Sequence, residues 1–168
     1  MNSAKRAVAE KILITLYEGG MNHTNMSLAP IREASGYEKG VFHAIVEELE
    51  KSRGLIQEYG SFYSYEITPA GVLYVEDNGL IDIEVAEKHR HIRNIILRLL
   101  ADLYENKGSL ADLSVDQLAD AAGLDPLDIY LDLSLLKNIG YIRDTSSNTY
   151  QITQQGRSCF MGDDVDLL

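Results

Sequence analysis

The chain has one cysteine, three prolines and no tryptophan among its 168 residues. The single cysteine, Cys159, excludes an intramolecular disulfide framework, which fits a reducing compartment. No segment approaches the ~18 consecutive apolar residues of a membrane-spanning helix. Residues 1–10 are mixed polar and charged and lack the apolar run of a secretion signal. We therefore expect a cytoplasmic protein that does not enter a membrane.

Basic residues are also scarce, because 15 Lys and Arg stand against 26 Asp and Glu, for a net charge of −11. Residues 1–80 hold 7 basic against 11 acidic residues, and residues 81–168 hold 8 against 15, so neither half contains a basic domain. Proteins that cover phosphates normally have a basic excess or a concentrated basic face. The charge therefore disfavours duplex DNA as a partner and leaves only a local basic patch for that role.

An internal repeat organises the sequence, with matching segments in the same order along both halves. Leu16-Tyr17-Glu18 recurs as Leu103-Tyr104-Glu105, 87 residues later. Further matches join residues 27–36 to 114–123, 49–56 to 136–142, and 65–71 to 150–156. The repeat predicts two domains, at residues 1–80 and 81–162, followed by an acidic tail at residues 163–168.

Each half shows one pattern of elements. Apolar spacing predicts first helices over residues 3–19 and 84–106, second helices over 28–35 and 115–122, and third helices over 38–52 and 125–139. Ser27 and Ser114 are placed to cap the second helices, and Gly36 and Gly123 to end them. Two short strands follow, with turns at Gly60-Ser61 and at residues 146–148, and a last helix starts after Thr68 or Thr153. The predicted fold class is mainly α with small β-hairpin wings, that is, α+β.

Residues 49–56, followed by a strand pair that ends in Ile67-Thr68-Pro69-Ala70-Gly71, resemble the winged helix-turn-helix superfamily, especially small bacterial and archaeal regulators. The second half has the same marks at residues 136–142 and 152–156. The resemblance implies two tandem winged-helix domains. It also implies that each third helix would lie in a major groove while the wing touches flanking backbone.

The third helix of the second half is poorly suited to a groove. With Ile129, Leu133 and Leu136 pointing inward, the outward side presents leucines beside Asp128 and Tyr130. A groove reader needs Arg, Lys, Asn or Gln at such positions. We therefore expect a protein-contacting row made of Leu127, Tyr130, Leu131 and Leu135. Its partner would be the first domain, a second copy in a homodimer, or a different protein. The expected function is a non-catalytic interaction, assembly or regulatory module, like acidic tandem winged-helix assembly subunits by analogy of fold alone.

The alternative is a transcriptional regulator that binds duplex DNA. Its support is the superfamily resemblance together with basic side chains in two places. One group is predicted to form an exposed face of the long helix: Lys88, Arg90, Arg93 and Arg98. The other group lies along and just after the third helix of the first domain: Lys39, His43, Lys51 and Arg53. A ligand-responsive switch with a pocket between the domains is a third hypothesis, which no polar constellation supports.

Catalytic and metal-binding patterns are missing from the sequence. His89 and His91 are two residues apart and would point to different sides of a helix. The acidic tail lacks the glycine and terminal glutamate of a calcium loop. Cys159 lies in an apolar stretch, which predicts a buried structural thiol. We expect no metal, no cofactor and no enzymatic activity.

Overall fold

The computed structural model describes residues 3–21, 26–59, 64–108, 112–146 and 148–161. The chain divides into two compact units, Met1–Ile83 and Glu84–Leu168, which are described separately below. The predicted turn at Gly60-Ser61 and the predicted acidic tail at residues 163–168 lie outside the described residues. Both units are mainly helical, and each has a small antiparallel sheet of three strands, so the expected mixture of helices and hairpins is confirmed.

The first unit begins with helix α1, Ser3–Met21, and a short strand β1, Met26–Ser27. Its helix pair consists of α2, Ala29–Ser35, and α3, Lys39–Glu47, which continues as a π-helical turn over Glu48–Ser52. The hairpin strands are β2, Ile56–Tyr59, and β3, Ser64–Ile67, and helix α4, Pro69–Asp77, follows. Strand β3 lies between β1 and β2, and both pairings are antiparallel.

The second unit repeats this order. It consists of helix α5, Ile83–Lys107, strand β4, Leu113–Ser114, and helix α6, Val115–Ala122. A 3₁₀ turn over Pro126–Ile129 leads into helix α7, Tyr130–Asn138. Strands β5, Ile142–Ser146, and β6, Thr149–Ile152, are followed by helix α8, Gln154–Met161. The sheet order is β4-β6-β5, which is the order of the first unit. The strand pairs were predicted, whereas the third strands β1 and β4 were not.

The internal repeat is visible in matching hydrogen bonds. Thr68 Oγ1 donates to the carbonyl of Gly54 at 2.6 Å and accepts from the amide of Gly71 at 3.1 Å. Thr153 Oγ1 makes the same pair of bonds, to the carbonyl of Gly140 at 2.6 Å and from the amide of Gly156 at 3.1 Å. The threonine therefore joins the end of the third helix to the start of the last helix in both units.

The second helices end as predicted but begin differently. Gly36 and Gly123 adopt the left-handed conformation, with φ of 66° and 69°, that favours glycine at a helix C-terminus. Ser114 caps α6 in a capping box, in which the Ser114 hydroxyl accepts from the backbone amide of Gln117 and the Gln117 side chain accepts from the backbone amide of Ser114. Helix α2 has no such cap, because Leu28 precedes it and Ser27 Oγ only accepts from the amide of Ala29 at 3.3 Å. The predicted cap is confirmed for Ser114 and wrong for Ser27.

The core of the second unit is a single hydrophobic cluster. Helix α5 contributes Ile92, Ile96 and Leu100, and the third helix contributes Ile129, Leu133 and Leu136. These are the three residues that the periodicity predicted as the inward stripe of that helix. Burial of apolar surface is the main favourable term in folding, so the correct stripe fixes how the helix is rotated in its unit.

Candidate interaction surface

The predicted row on α7 is only partly at the surface. Leu127 is 59% exposed and Tyr130 is half-buried. Leu131 and Leu135, by contrast, are 8% and 1% exposed, so they are covered within the chain. The physical reason is that α7 buries a second side in addition to the core stripe, as expected for a helix with more than one apolar stripe. Of the four residues in the row, Leu127 and Tyr130, at the beginning of the third helix, are the two that keep exposed surface.

A buried ionic cluster links α7 to the long helix α5. His89 Nδ1 lies 2.7 Å from Asp132 Oδ2, and Arg93 Nη1 donates to Asp132 Oδ1 at 3.0 Å. Arg93 and Asp132 are both 0% exposed, and His89 is also buried. A carboxylate that is buried this deeply is tolerated because two partners satisfy both of its oxygens.

This cluster corrects the prediction for Arg93, which was expected on an exposed face with Lys88, Arg90 and Arg98. His89 and Arg93 are four residues apart and therefore lie on one side of α5, where Asp132 neutralises the guanidinium. Among the rest of that group, Lys88 and Arg98 are exposed and Arg90 is partly buried. Sequence reasoning did not single out Asp132. The available signal was one carboxylate within the apolar run of residues 131–136.

The four basic side chains of the first unit that were predicted as a nucleic-acid contact are exposed, but two of them already form ion pairs. Lys51 Nζ lies 3.0 Å from Glu47 Oε1, and Arg53 Nη2 lies 3.2 Å from Glu48 Oε1. The hydrogen bond and the charge of Glu47 raise the pKa of the Lys51 ammonium. Lys39 and His43 are exposed on the outer side of α3. Among the described residues, no carboxylate lies at ion-pair distance from Lys39 or His43. These two side chains therefore differ from Lys51 and Arg53, which are the other two candidates.

Metal and thiol chemistry find little support in the described parts of the chain. Within them, no group of three or more His, Cys, Asp and Glu side chains is arranged to hold a metal ion. Cys159 is partly exposed on α8, so the expectation of a buried thiol is wrong. A hydrogen bond with Cys159 raises the pKa of the Tyr141 phenol, and burial raises it further.

Among the described helices, none combines the length and apolarity needed to cross a membrane.

Neither protein-family models, nor curated proteins, nor solved structures give a significant match.

Proposed function

We propose that the chain is a non-catalytic protein–protein interaction module, for assembly or regulation, built from two tandem winged-helix units. The observation that supports this best is the closed side of α7, where Leu131, Asp132 and Leu135 are buried. A helix that reads a major groove must turn polar side chains toward base edges and phosphates. In the second unit, the side chains that would occupy this position are buried in the chain itself.

The polar residues that remain exposed on α7 are bound within the unit. Lys137 forms an ion pair with Asp144, which raises the pKa of the lysine. Asn138 Nδ2 donates to the carbonyl of Ser134 at 2.8 Å. Binding to phosphate would require Lys137 to exchange a carboxylate for a phosphate in a molecule with a net charge of −11. Contact with a protein surface does not require the Lys137–Asp144 ion pair to break.

The contact point that we assign is Leu127 with the neighbouring Tyr130. Among the described residues, Leu127 is one of three large hydrophobic side chains that are well exposed, together with Tyr59 and Ile83. A leucine beside an aromatic ring, rimmed by Asp125 and Asp128, has the apolar centre and polar rim of a small protein interface. The partner is a second copy of the chain, which gives a homodimer, or a different protein.

Light scattering of the full chain tests this contact. For a homodimer, we expect a dimer mass in the wild type and a monomer mass in Leu127→Asp, while the matched control Tyr59→Asp keeps the dimer. A monomeric wild type would assign the contact to a different protein. A dimer that survives Leu127→Asp would show that Leu127 does not lie in the interface.

Duplex DNA is the second candidate, and the exposed Lys39 and His43 on α3 favour it. A fluorescence-anisotropy titration of random duplex DNA at several salt concentrations separates the two functions. We expect no saturable binding near physiological salt. Micromolar binding with a steep salt dependence, weakened by Lys39→Gln, would replace the interaction module with a DNA-binding regulator.

A further inference from the structure

A cavity of about 300 Å³ opens in the first unit between the β1–α2 segment, α3 and strand β3. Its floor is formed by Leu28, Phe42, Val46 and Tyr65, which are all buried. Ligand pockets in proteins range from roughly 300 to 1,000 Å³ and are lined mainly by apolar and aromatic groups with a few polar ones. The size and the floor of this cavity match a small organic molecule.

The rim of the cavity is cationic, which is unusual in so acidic a chain. Arg32, Lys39 and His43 line it, and none of the described residues that line it has a carboxylate. The carboxylate nearest to Arg32 belongs to the adjacent Glu33, whose Oε1 is 4.0 Å from Nη2, at the limit of an ion pair. The rim therefore offers nitrogen donors for an anionic group directly above an apolar floor.

The second unit shows that the fold does not require this rim. At the positions of the floor it has Val115, Ile129, Leu133 and Tyr150, which are apolar or aromatic and buried in the same way. At the positions of Arg32, Lys39 and His43 it has Ala119, Pro126 and Tyr130. The apolar floor is thus common to both units and belongs to folding, whereas the three basic side chains belong to the first unit alone.

We propose that this cavity binds a small amphipathic carboxylate, with its apolar body on the floor and its carboxylate at the rim. The Arg32 guanidinium suits a carboxylate because its planar fork donates two parallel hydrogen bonds, and Lys39 adds a point charge. An inorganic anion would leave the floor unfilled, and a neutral apolar molecule would leave the basic rim unused. The proposal does not depend on the protein contact at Leu127, which lies in the other unit.

Isothermal titration calorimetry of the full chain with 3-phenylpropanoate tests the site. We expect saturable binding to one site, at least tenfold tighter than that of the neutral analogue 3-phenylpropanamide. Inorganic phosphate is expected to give no saturable heat. Equal affinity for the acid and the amide, or absence of binding by the acid, would overturn the proposal. Phosphate binding as tight as that of the acid would also overturn it, because the floor would then contribute nothing.

Variants locate the binding site. Arg32→Gln and Lys39→Gln should each lower the affinity for 3-phenylpropanoate roughly tenfold, because each removes one charged hydrogen-bonding partner of the carboxylate. Ala29→Trp fills the mouth of the cavity without changing its charge and is expected to abolish binding. Lys107→Gln, which removes an exposed lysine of the second unit, is the matched control and is expected to bind normally. An equal loss in Lys107→Gln, or normal binding in Ala29→Trp, would contradict the site. Competition by random duplex DNA that disappears in Arg32→Gln would assign the rim to nucleic acid instead.

Discussion

At the scale of single residues, Asp132 is a position where the two units differ in chemistry although both side chains are buried. The repeat aligns it with Ile45, which is 2% exposed and sits in the core of the first unit. The same helix position is therefore compatible with a purely apolar side chain. Burial of an ion pair costs desolvation free energy, which the attraction between the two charges offsets only roughly. The cluster of His89, Arg93 and Asp132 is therefore expected to add little net stability relative to apolar packing at the same position.

Removal of the carboxylate should be strongly destabilising, because it removes the buried contacts of Asp132 with His89 and Arg93. We expect Asp132→Ala to lower the free energy of unfolding by about 3–5 kcal/mol. The exposed Asp128→Ala should change it by less than about 0.5 kcal/mol. Urea denaturation followed by circular dichroism measures both. The triple variant His89→Leu, Arg93→Met, Asp132→Ile should recover most of the loss. Equal stability of Asp132→Ala and Asp128→Ala would show that the cluster is not energetically coupled.

Two glycines are required by close backbone approach. A Cβ at Gly71 would lie 2.0 Å from the carbonyl oxygen of Leu55, and one at Gly156 would lie 2.2 Å from that of Tyr141. Backbone must shift to relieve such a clash, so we expect Gly71→Ala and Gly156→Ala to cost about 1–3 kcal/mol each, as measured by thermal and urea unfolding. Gly40→Ala is the control, since no atom lies within 4 Å of its Cβ position and its helical site should gain about 0.5–1 kcal/mol. A neutral Gly156→Ala would contradict the close approach.

At the scale of elements, local patterns predicted what local physics controls. The helix positions followed from apolar spacing, and the ends of α2 and α6 followed from Gly36 and Gly123. The strands β1 and β4 were missed because two residues contain no readable alternation, and their pairing with β3 and β6 depends on distant residues. The burial of Arg93 was missed for the same reason. Periodicity identifies an apolar stripe, but only the tertiary structure decides whether a second stripe is also covered.

The capping box of α6 is expected to stabilise the second unit. Ser114 and Gln117 satisfy each other's amides, and this reciprocal pair is missing from α2, where Leu28 stands before the helix. We expect Ser114→Ala to lower the free energy of unfolding by about 1 kcal/mol. Ser27→Ala should lower it by no more than a few tenths of that value, because its contact with Ala29 is long at 3.3 Å. Urea denaturation of the two variants compares the caps directly, and equal losses would show that the box adds nothing.

At the scale of the whole molecule, one plan of strands and helices appears twice with different polar groups attached. The Thr–Gly hydrogen bonds, the sheet order and the apolar stripes are common to both units. Among the described residues, the basic rim occurs only in the first unit, and the buried ionic cluster only in the second. Shared features maintain the fold, since each copy needs them to bury its core. The unshared features are where a difference in function between the units is to be expected.

The chain as a whole should lose stability at alkaline pH, because two tyrosines of the second unit resist ionisation in the folded state. Burial raises the pKa of Tyr150 above 10.0, and a hydrogen bond with Cys159 raises that of Tyr141. In the unfolded chain these phenols lose their protons first, so above about pH 10 the unfolded state binds fewer protons than the folded state. Stability is then unaffected below that pH and falls above it, by at most about 1.4 kcal/mol per pH unit for each tyrosine.

Urea denaturation at a series of pH values from 8 to 11 measures this fall. We expect Tyr150→Phe to make the decline shallower, because the phenylalanine ring keeps the packing but has no proton to lose. The matched control is Tyr59→Phe, which changes a side chain that is 52% exposed, and it should leave the slope unchanged. If Tyr150→Phe and the wild type decline in parallel, the alkaline loss would instead come from the growing negative charge of a chain that already stands at −11.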